Sequence, residues 1–336
     1  MRRIIFPVAF LMMLCSCNTK GSGEKYVKES VGAINSLSLV MDNELWNTEV
    51  GDEVRKYFAA PVDGLPWEEP VFSIRQIPVE VFNGIARSGR NILLITKDSA
   101  AFSITENVYA KPQKIARIQG EDSETLIKLI RKHAPEIVAE YKEQEIKEKQ
   151  RRIKIAPGRE TGLEEKLGIS LIMPTVYEVV KQEDNFFWIE RKIRNGTTNI
   201  IVYTLPLDAI PDNSGRVEAI VKMRDSIGER YIPGREEGMY MITEKAYAPY
   251  IFEVELAGNE AIETRGMWEM KNFFMAGPFL NYIVKDEAHN RLLVLEGFTF
   301  APSTNKRDFM FELEAILKSL EIVSAPQKKK ETNQKK

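Results

Sequence analysis

This chain of 336 residues contains only two cysteines and two histidines. Both cysteines, Cys15 and Cys17, fall at the extreme N-terminus, so the body has no disulfide framework, no thiol nucleophile and no thiolate metal site. His133 and His289 are far apart in the chain, and neither has a histidine or cysteine at ligand spacing. No zinc or copper site is therefore expected, and no serine triad can be built on either imidazole. Gly-x-Ser-x-Gly and Walker-type glycine–lysine motifs are also missing. No cofactor and no metal are expected. Long apolar runs are lacking as well, which excludes a polytopic membrane protein. With 43% hydrophobic and 29% charged residues, the chain has globular composition, neither collagen-like nor disordered.

The start of the chain reads as an address. Met1-Arg2-Arg3 is basic, and Ile4 to Leu14 is an unbroken apolar run. At about 1.5 Å per residue that run makes a helix roughly 16 Å long, about half of a bilayer core. It has the layout of a secretory signal peptide. Leu14-Cys15-Ser16-Cys17 then resembles the bacterial lipobox, which implies cleavage after Ser16 and acylation of Cys17; the alternative is an ordinary signal with a chance cysteine. Two or three acyl chains on one residue give stable anchoring where a single chain does not. Residues 17–24 are small and polar and read as a tether. No aspartate follows Cys17 directly, and no acidic run follows it. The expected location is the outer membrane of a Gram-negative envelope, facing the periplasm.

Charge is uneven along the chain. Loss of residues 1–16 removes Arg2 and Arg3 and no acid, leaving 45 basic against 49 acidic residues, or −4. Residues 325–336 hold five lysines and one glutamate, or +4, so the remaining body carries −8. That body offers no basic face by count, and no nucleic-acid partner is expected. The tail is too polar to pack and reads as disordered and solubilising; contact with anionic lipid or cell-wall material is the alternative.

Along the body, Leu37–Met41 reads as a strand that runs into a cap and helix over Asp42–Phe58. Three prolines make Ala60–Pro70 a loop, and Pro78–Ile85 a short helix. Asn91–Thr96 is apolar enough for a central strand buried on both faces. From Glu121 the period becomes helical. Pro135 is expected to end one helix and open the next, whose continuation Glu140–Arg152 reads as a solvated face of alternating charge, or else as a partner-binding arm. Thr198–Tyr203 echoes Gly89–Ile95, with Asn199 matching Asn91, which raises an internal duplication. The C-terminal part is β-rich, with a hairpin at Gly258-Asn259 and a closing amphipathic helix over Asp308–Leu320. The expected fold class is α+β: two open-faced α/β sandwich halves with largely antiparallel sheets, over residues 25–158 and 159–324.

Three clusters carry the remaining chemistry. Asp42, Asn43, Trp46 and Asn47 gather hydrogen-bonding groups beside an indole at a strand end. On the strand around Arg265, alternation puts Arg265, Met267 and Glu269 on one face and Gly266 and Trp268 on the other. Gly277-Pro278-Phe279 opens a further strand. The functional reading is a pocket or interface anchored by Trp46, Arg265 and Trp268; the plainer one is a helix cap, core tryptophans and a structural arginine. The expected function is a non-catalytic binding or scaffold protein with an envelope protein partner. The alternatives are a carboxylate-based hydrolase of envelope glycan, which needs two carboxylates ~5–10 Å apart in a cleft, and a small-ligand-binding lipoprotein.

Several stretches occur together in a familiar order: MDNELWN from Met41, YAKPQ from Tyr109, IVYTLP from Ile201, RDS from Arg224, IPGREEGMYMITEK from Ile232, RGMWEM from Arg265 and EGFTFAP from Glu296. Together they resemble an uncharacterised Bacteroidota lipoprotein family, domain of unknown function 4837, over about residues 20 to 322. The resemblance implies an envelope lipoprotein and no particular reaction. If Cys17 is the anchor, Cys17→Ala moves the chain from the membrane fraction to the soluble one; a variant that stays with the membrane contradicts it.

Overall fold

The computed structural model describes residues 27–158, 161–212 and 214–323. The signal peptide (1–16), the tether (17–24) with Cys17, and the tail (325–336) lie outside the described residues. The fold is α+β, built on two sheets that differ in kind.

The first part runs β1 (Ser36–Val40), α1 (Asn43–Trp46), α2 (Glu49–Phe58), β2 (Ser73–Ile77), β3 (Asn91–Lys97), β4 (Ala101–Glu106), β5 (Lys114–Gly120) and α3 (Ser123–Ile155). Its strand order is β2-β1-β3-β5-β4, so β3 is the middle strand, as its apolar run requires. Here the expectation of a largely antiparallel sheet needs correction. β1–β2, β1–β3 and β3–β5 are parallel, and only β4–β5 is antiparallel. The reason lies in the connections: α1 and α2 return the chain to the starting end before β2. Pro78–Ile85 forms two short 3₁₀ turns, Val79–Val81 and Gly84–Ser88, instead of one helix.

One face of this sheet packs on α2 and α3 around Leu39, Val54, Phe58, Leu93, Ile130 and Ile137. α3 is one unbroken helix of 33 residues, about 50 Å long. Pro135 sits inside it rather than between two helices. Its ring leaves the carbonyl of Arg131 without the usual helical donor, yet buried Ala134 and Ile137 fasten the helix to the sheet on either side. The charged stretch Glu140–Arg152 is not a solvated face throughout: Tyr141, Gln144, Glu145 and Glu148 are buried. Glu145 accepts from Arg90 Nε (2.6 Å) and NH2 (2.9 Å), from Asn91 Nδ2 (2.7 Å) and from the backbone N–H of Asn35 (2.7 Å). A fully buried carboxylate is tolerable because this set meets its lone pairs.

The second part runs α4 (Leu163–Leu167), β6 (Ile169–Ser170), β7 (Glu178–Gln182), β8 (Phe186–Ile193), β9 (Gly196–Pro206), α5 (Arg216–Tyr231), β10 (Met241–Thr243), β11 (Tyr250–Leu256), β12 (Asn259–Met270), β13 (Phe273–Asp286), β14 (Arg291–Phe300), α6 (Arg307–Leu317) and β15 (Glu321–Ile322). Its large sheet has the order β10-β12-β13-β14-β9-β8-β7, with β11 also on β12, and every pairing is antiparallel. Ala257 and Gly258, both at positive φ (53° and 74°), make the tight β11–β12 turn. The echo between the Asn91 and Asn199 stretches does not extend to topology. β3 is parallel to both neighbours, and β9 is antiparallel to both.

α6 joins the two parts. Leu313, Ile316 and Leu317 pack on the sheet, while Phe311 and Ala315 meet Ile146 of α3. The helix is thus buried from Met310 to Leu317, including two carboxylates. Glu312 takes Lys149 of α3 (2.7 Å), Arg191 of β8 and the Tyr177 hydroxyl (3.0 Å). Glu314 takes Arg265 of β12 (2.9 Å) and Lys318 (2.8 Å). At the N-terminus of α6, Glu69 from the Ala60–Pro70 loop accepts the backbone N–H of Lys306 (2.7 Å) and Arg307 (2.9 Å).

Burial pushes the Glu314 carboxyl up, but the Arg265, Lys318 and Lys142 charges outweigh it and hold it well below the usual carboxylate range. Glu312 is likewise lowered, with Lys149 and Arg191 outweighing its burial. Both folded pKa values lie below the unfolded value near 4.5. The stability they carry is therefore complete above that value and lost as pH falls through it toward the folded value. Glu314→Gln should flatten the loss of stability between about pH 5 and pH 2. It should also cost about 1.5–3 kcal/mol at neutral pH by removing one partner of Arg265; urea unfolding across that range measures both.

Candidate functional site

The structure places the six candidate residues in three separate environments. Asp42 is the N-cap residue of α1 without a side-chain cap bond. Asn43 accepts from Gln76 Nε2 (3.0 Å), and Asn47 donates to the Asn43 carbonyl (2.9 Å). Trp46 lies under the Arg55 guanidinium, 4.0 Å from the ring centroid. Arg265 is buried between Glu263 (2.6 Å) and Glu314, on the α6 side of the sheet. Trp268 is buried on the opposite side, with α5. Trp46, Arg265 and Trp268 therefore do not converge. Alternation along β12 carries Arg265 and Trp268 to opposite faces, and Trp46 belongs to the first part's core.

Trp268 does border the largest concavity described, a groove of about 590 Å³ on the α5 side of the large sheet. Strand positions of one parity supply its floor: Trp188 on β8, Thr197 and Asn199 on β9, Trp268 on β12, and Phe298 and Phe300 on β14. The segment Ile232–Arg235 after α5 and the turn from Met270 to Met275 supply its sides. Phe273 and Phe274 on that turn are exposed, Phe274 completely.

Gly277 creates the seat of Trp268. The two residues are directly opposite in the β12–β13 register. A Cβ at position 277 would lie 1.9 Å from the Thr299 carbonyl oxygen and 3.0 Å from Trp268 Nε1. With no side chain there, the indole lies across the strand and donates to that same carbonyl (3.2 Å). Phe298 meets the indole edge-on, with centroids 5.7 Å apart.

The other polar groups of the floor bond to one another. Trp188 Nε1 donates to Asn199 Oδ1 (2.9 Å), and Asn199 Nδ2 donates to Thr197 Oγ1 (2.9 Å). Glu190 is the one carboxylate among the described lining residues. The groove thus presents aromatic and thioether surface whose hydrogen-bonding groups are largely occupied. That arrangement suits an apolar ligand surface better than a sugar.

Beneath α5 lies a second polar cluster that the sequence reading missed. Arg224 donates to Glu296 through Nε (2.8 Å) and NH2 (2.6 Å), and to Thr243, and its guanidinium lies 3.4 Å from the Phe279 centroid. Asn281 also donates to Glu296 (2.9 Å). Arg224, Glu296 and Asn281 are all buried. The cluster fixes α5, and with it the Ile232–Arg235 side of the groove. Arg224 fell within a quoted stretch, but its partner is 72 residues away.

Gly277→Ala is expected to cost about 3 kcal/mol by overpacking. It should also weaken the near-ultraviolet dichroism of Trp268, measured against Trp268→Phe. A stable variant with an unchanged spectrum would show that the seat does not depend on the glycine.

Among solved structures, the chain is similar to the Ran-binding protein Mog1p of Saccharomyces cerevisiae at 11% identity and a TM-score of 0.32, covering 47% of this chain and 91% of that one. It also matches LpqN, involved in cell envelope biogenesis of Mycobacterium tuberculosis, at 15% identity and a TM-score of 0.28, covering 46% and 83%. No curated protein matches the chain. Residues 30–154 match the model of a domain of unknown function, DUF8532. Residues 157–319 match that of a second, DUF4837, which narrows the span of the resemblance read from the sequence. The chain therefore carries unknown-function domains over most of its described length.

Proposed function

We propose that the chain is a lipid-anchored envelope protein, held through acyl chains on Cys17 at the periplasmic face of the outer membrane. In this reading it binds an envelope partner without catalysis, through the aromatic groove of the large sheet. The lipobox-like Leu14–Cys17 supports the anchor, and the acidic, thiol-free body suits a non-catalytic role.

The observation that carries the binding role is the pairing of an aromatic floor with exposed Phe273 and Phe274 at its side. Large apolar side chains held in the open beside a concave aromatic surface mark a recognition site. Trp268 is the one sequence candidate that belongs to this site. Asp42, Asn43, Trp46, Asn47 and Arg265 are assigned structural roles in capping, stacking and pairing.

The test is a photo-crosslinking residue at position 274 in cells, with position 85, also an exposed apolar residue, as the control in the first part. The expected result is one reproducible envelope protein captured from 274 and not from 85. Its co-purification with the unmodified chain should fall about tenfold or more in the Phe273→Ser/Phe274→Ser double variant. Equal capture at both positions, or co-purification indifferent to the double variant, rules out the groove.

A further inference from the structure

Two charged groups of the groove stand apart from its internal bonding. Glu190 is half-buried and Arg235 exposed, and among the described residues neither has a hydrogen-bond or ion-pair partner, including each other. Glu178 lies directly opposite Glu190 in the β7–β8 register, also without a partner. Like charges directly opposed across a strand pair are unfavourable on their own. Lys192, two positions along the same face, is exposed and pairs with neither.

We propose that the groove takes a short peptide with free termini. Its α-ammonium lies against Glu190, helped by Glu178, its α-carboxylate against Arg235, and its apolar side chains on the accessible rings of Trp188, Phe300, Phe273 and Phe274. This deepens the groove reading above and depends on it. The ligand class follows from what the lining leaves unmet. An acyl chain would bury the Glu190 carboxylate further without a counter-charge, which is costly. A simple cation would leave Arg235 unused. A zwitterion with an apolar body meets both charges and the aromatic floor, where an alkylammonium also gains from ring faces. The volume fits: about 590 Å³ lies in the ~300–1,000 Å³ range of ligand sites. Three or four extended residues put a peptide's own charged termini about 10–14 Å apart.

The probe is the tetrapeptide leucine–phenylalanine–alanine–leucine, titrated calorimetrically into the full chain as the free, N-acetylated and C-amidated forms. Either cap should weaken binding about tenfold or more, the worth of a charge-assisted hydrogen bond. Glu190→Gln should abolish the sensitivity to acetylation only, and Arg235→Met the sensitivity to amidation only. Neither side chain is in the buried core and neither holds a partner among the described residues, so the variants are expected to keep the wild-type circular dichroism. Caps without effect, or cap effects that survive in the matching variants, overturn the proposal. So does palmitate binding more tightly than the free peptide. So does peptide affinity that rises on deletion of residues 325–336, because that places the chain's own lysine tail in the groove. If no form of the peptide binds while position 274 still captures its partner, this proposal fails and the groove reading stands. If position 274 captures nothing specific, both fail.

Discussion

Placing two carboxylates on a helical stretch buried all round, Met310 to Leu317, is costly unless each is met by a cation, and α6 meets that condition from three directions. Glu312 reaches Lys149 on α3 and Arg191 on β8, and Glu314 reaches Arg265 on β12. Glu69 covers the N-terminal N–H groups of the same helix. The cations come from both parts of the molecule, so the two sheets cannot separate without leaving charge buried and unpaired. The apolar contacts of α6 supply attraction without direction. The ion pairs fix which turn of the helix faces which sheet.

With one face of the large sheet taken by α6, the opposite face is only partly covered. α5 covers part of it and is held by the buried Arg224–Glu296 pair. The remainder is the aromatic groove, whose depth depends on glycine at position 277 and on indoles bonded within the lining. A surface whose hydrogen-bonding groups are already engaged can stay apolar without leaving polar groups unmet. Glu190 and Arg235 are the exceptions, and the proposed ligand chemistry rests on them.

Much of the fold was legible because short-range physics sets it. The apolar run at Asn91–Thr96 became the central strand, the turn at Gly258 became a hairpin, and the amphipathic stretch after Asp308 became α6. The misreadings share a cause. Pro135 looked like a helix boundary because its local cost is real, but packing of Ala134 and Ile137 overrides it. Glu145 looked solvated because its partner Arg90 is 55 residues away. Strand direction in the first sheet depends on how α1 and α2 return the chain, which no strand's own pattern encodes. Of the candidate site, only Trp268 was picked out beforehand. Its floor is assembled from four strands, and none of them signals the others.

The sequence by itself determined the fold class, and it carries the residues on which the proposed envelope address rests. A basic start, an apolar run, a lipobox-like tetrapeptide and a thiol-free body are properties of composition and adjacency, and folding does not alter them. The tertiary structure decided which charges are buried, which face of the large sheet is open and which aromatics share a groove. Those outcomes depend on contacts between residues tens to hundreds of positions apart. Only chain closure brings such residues together.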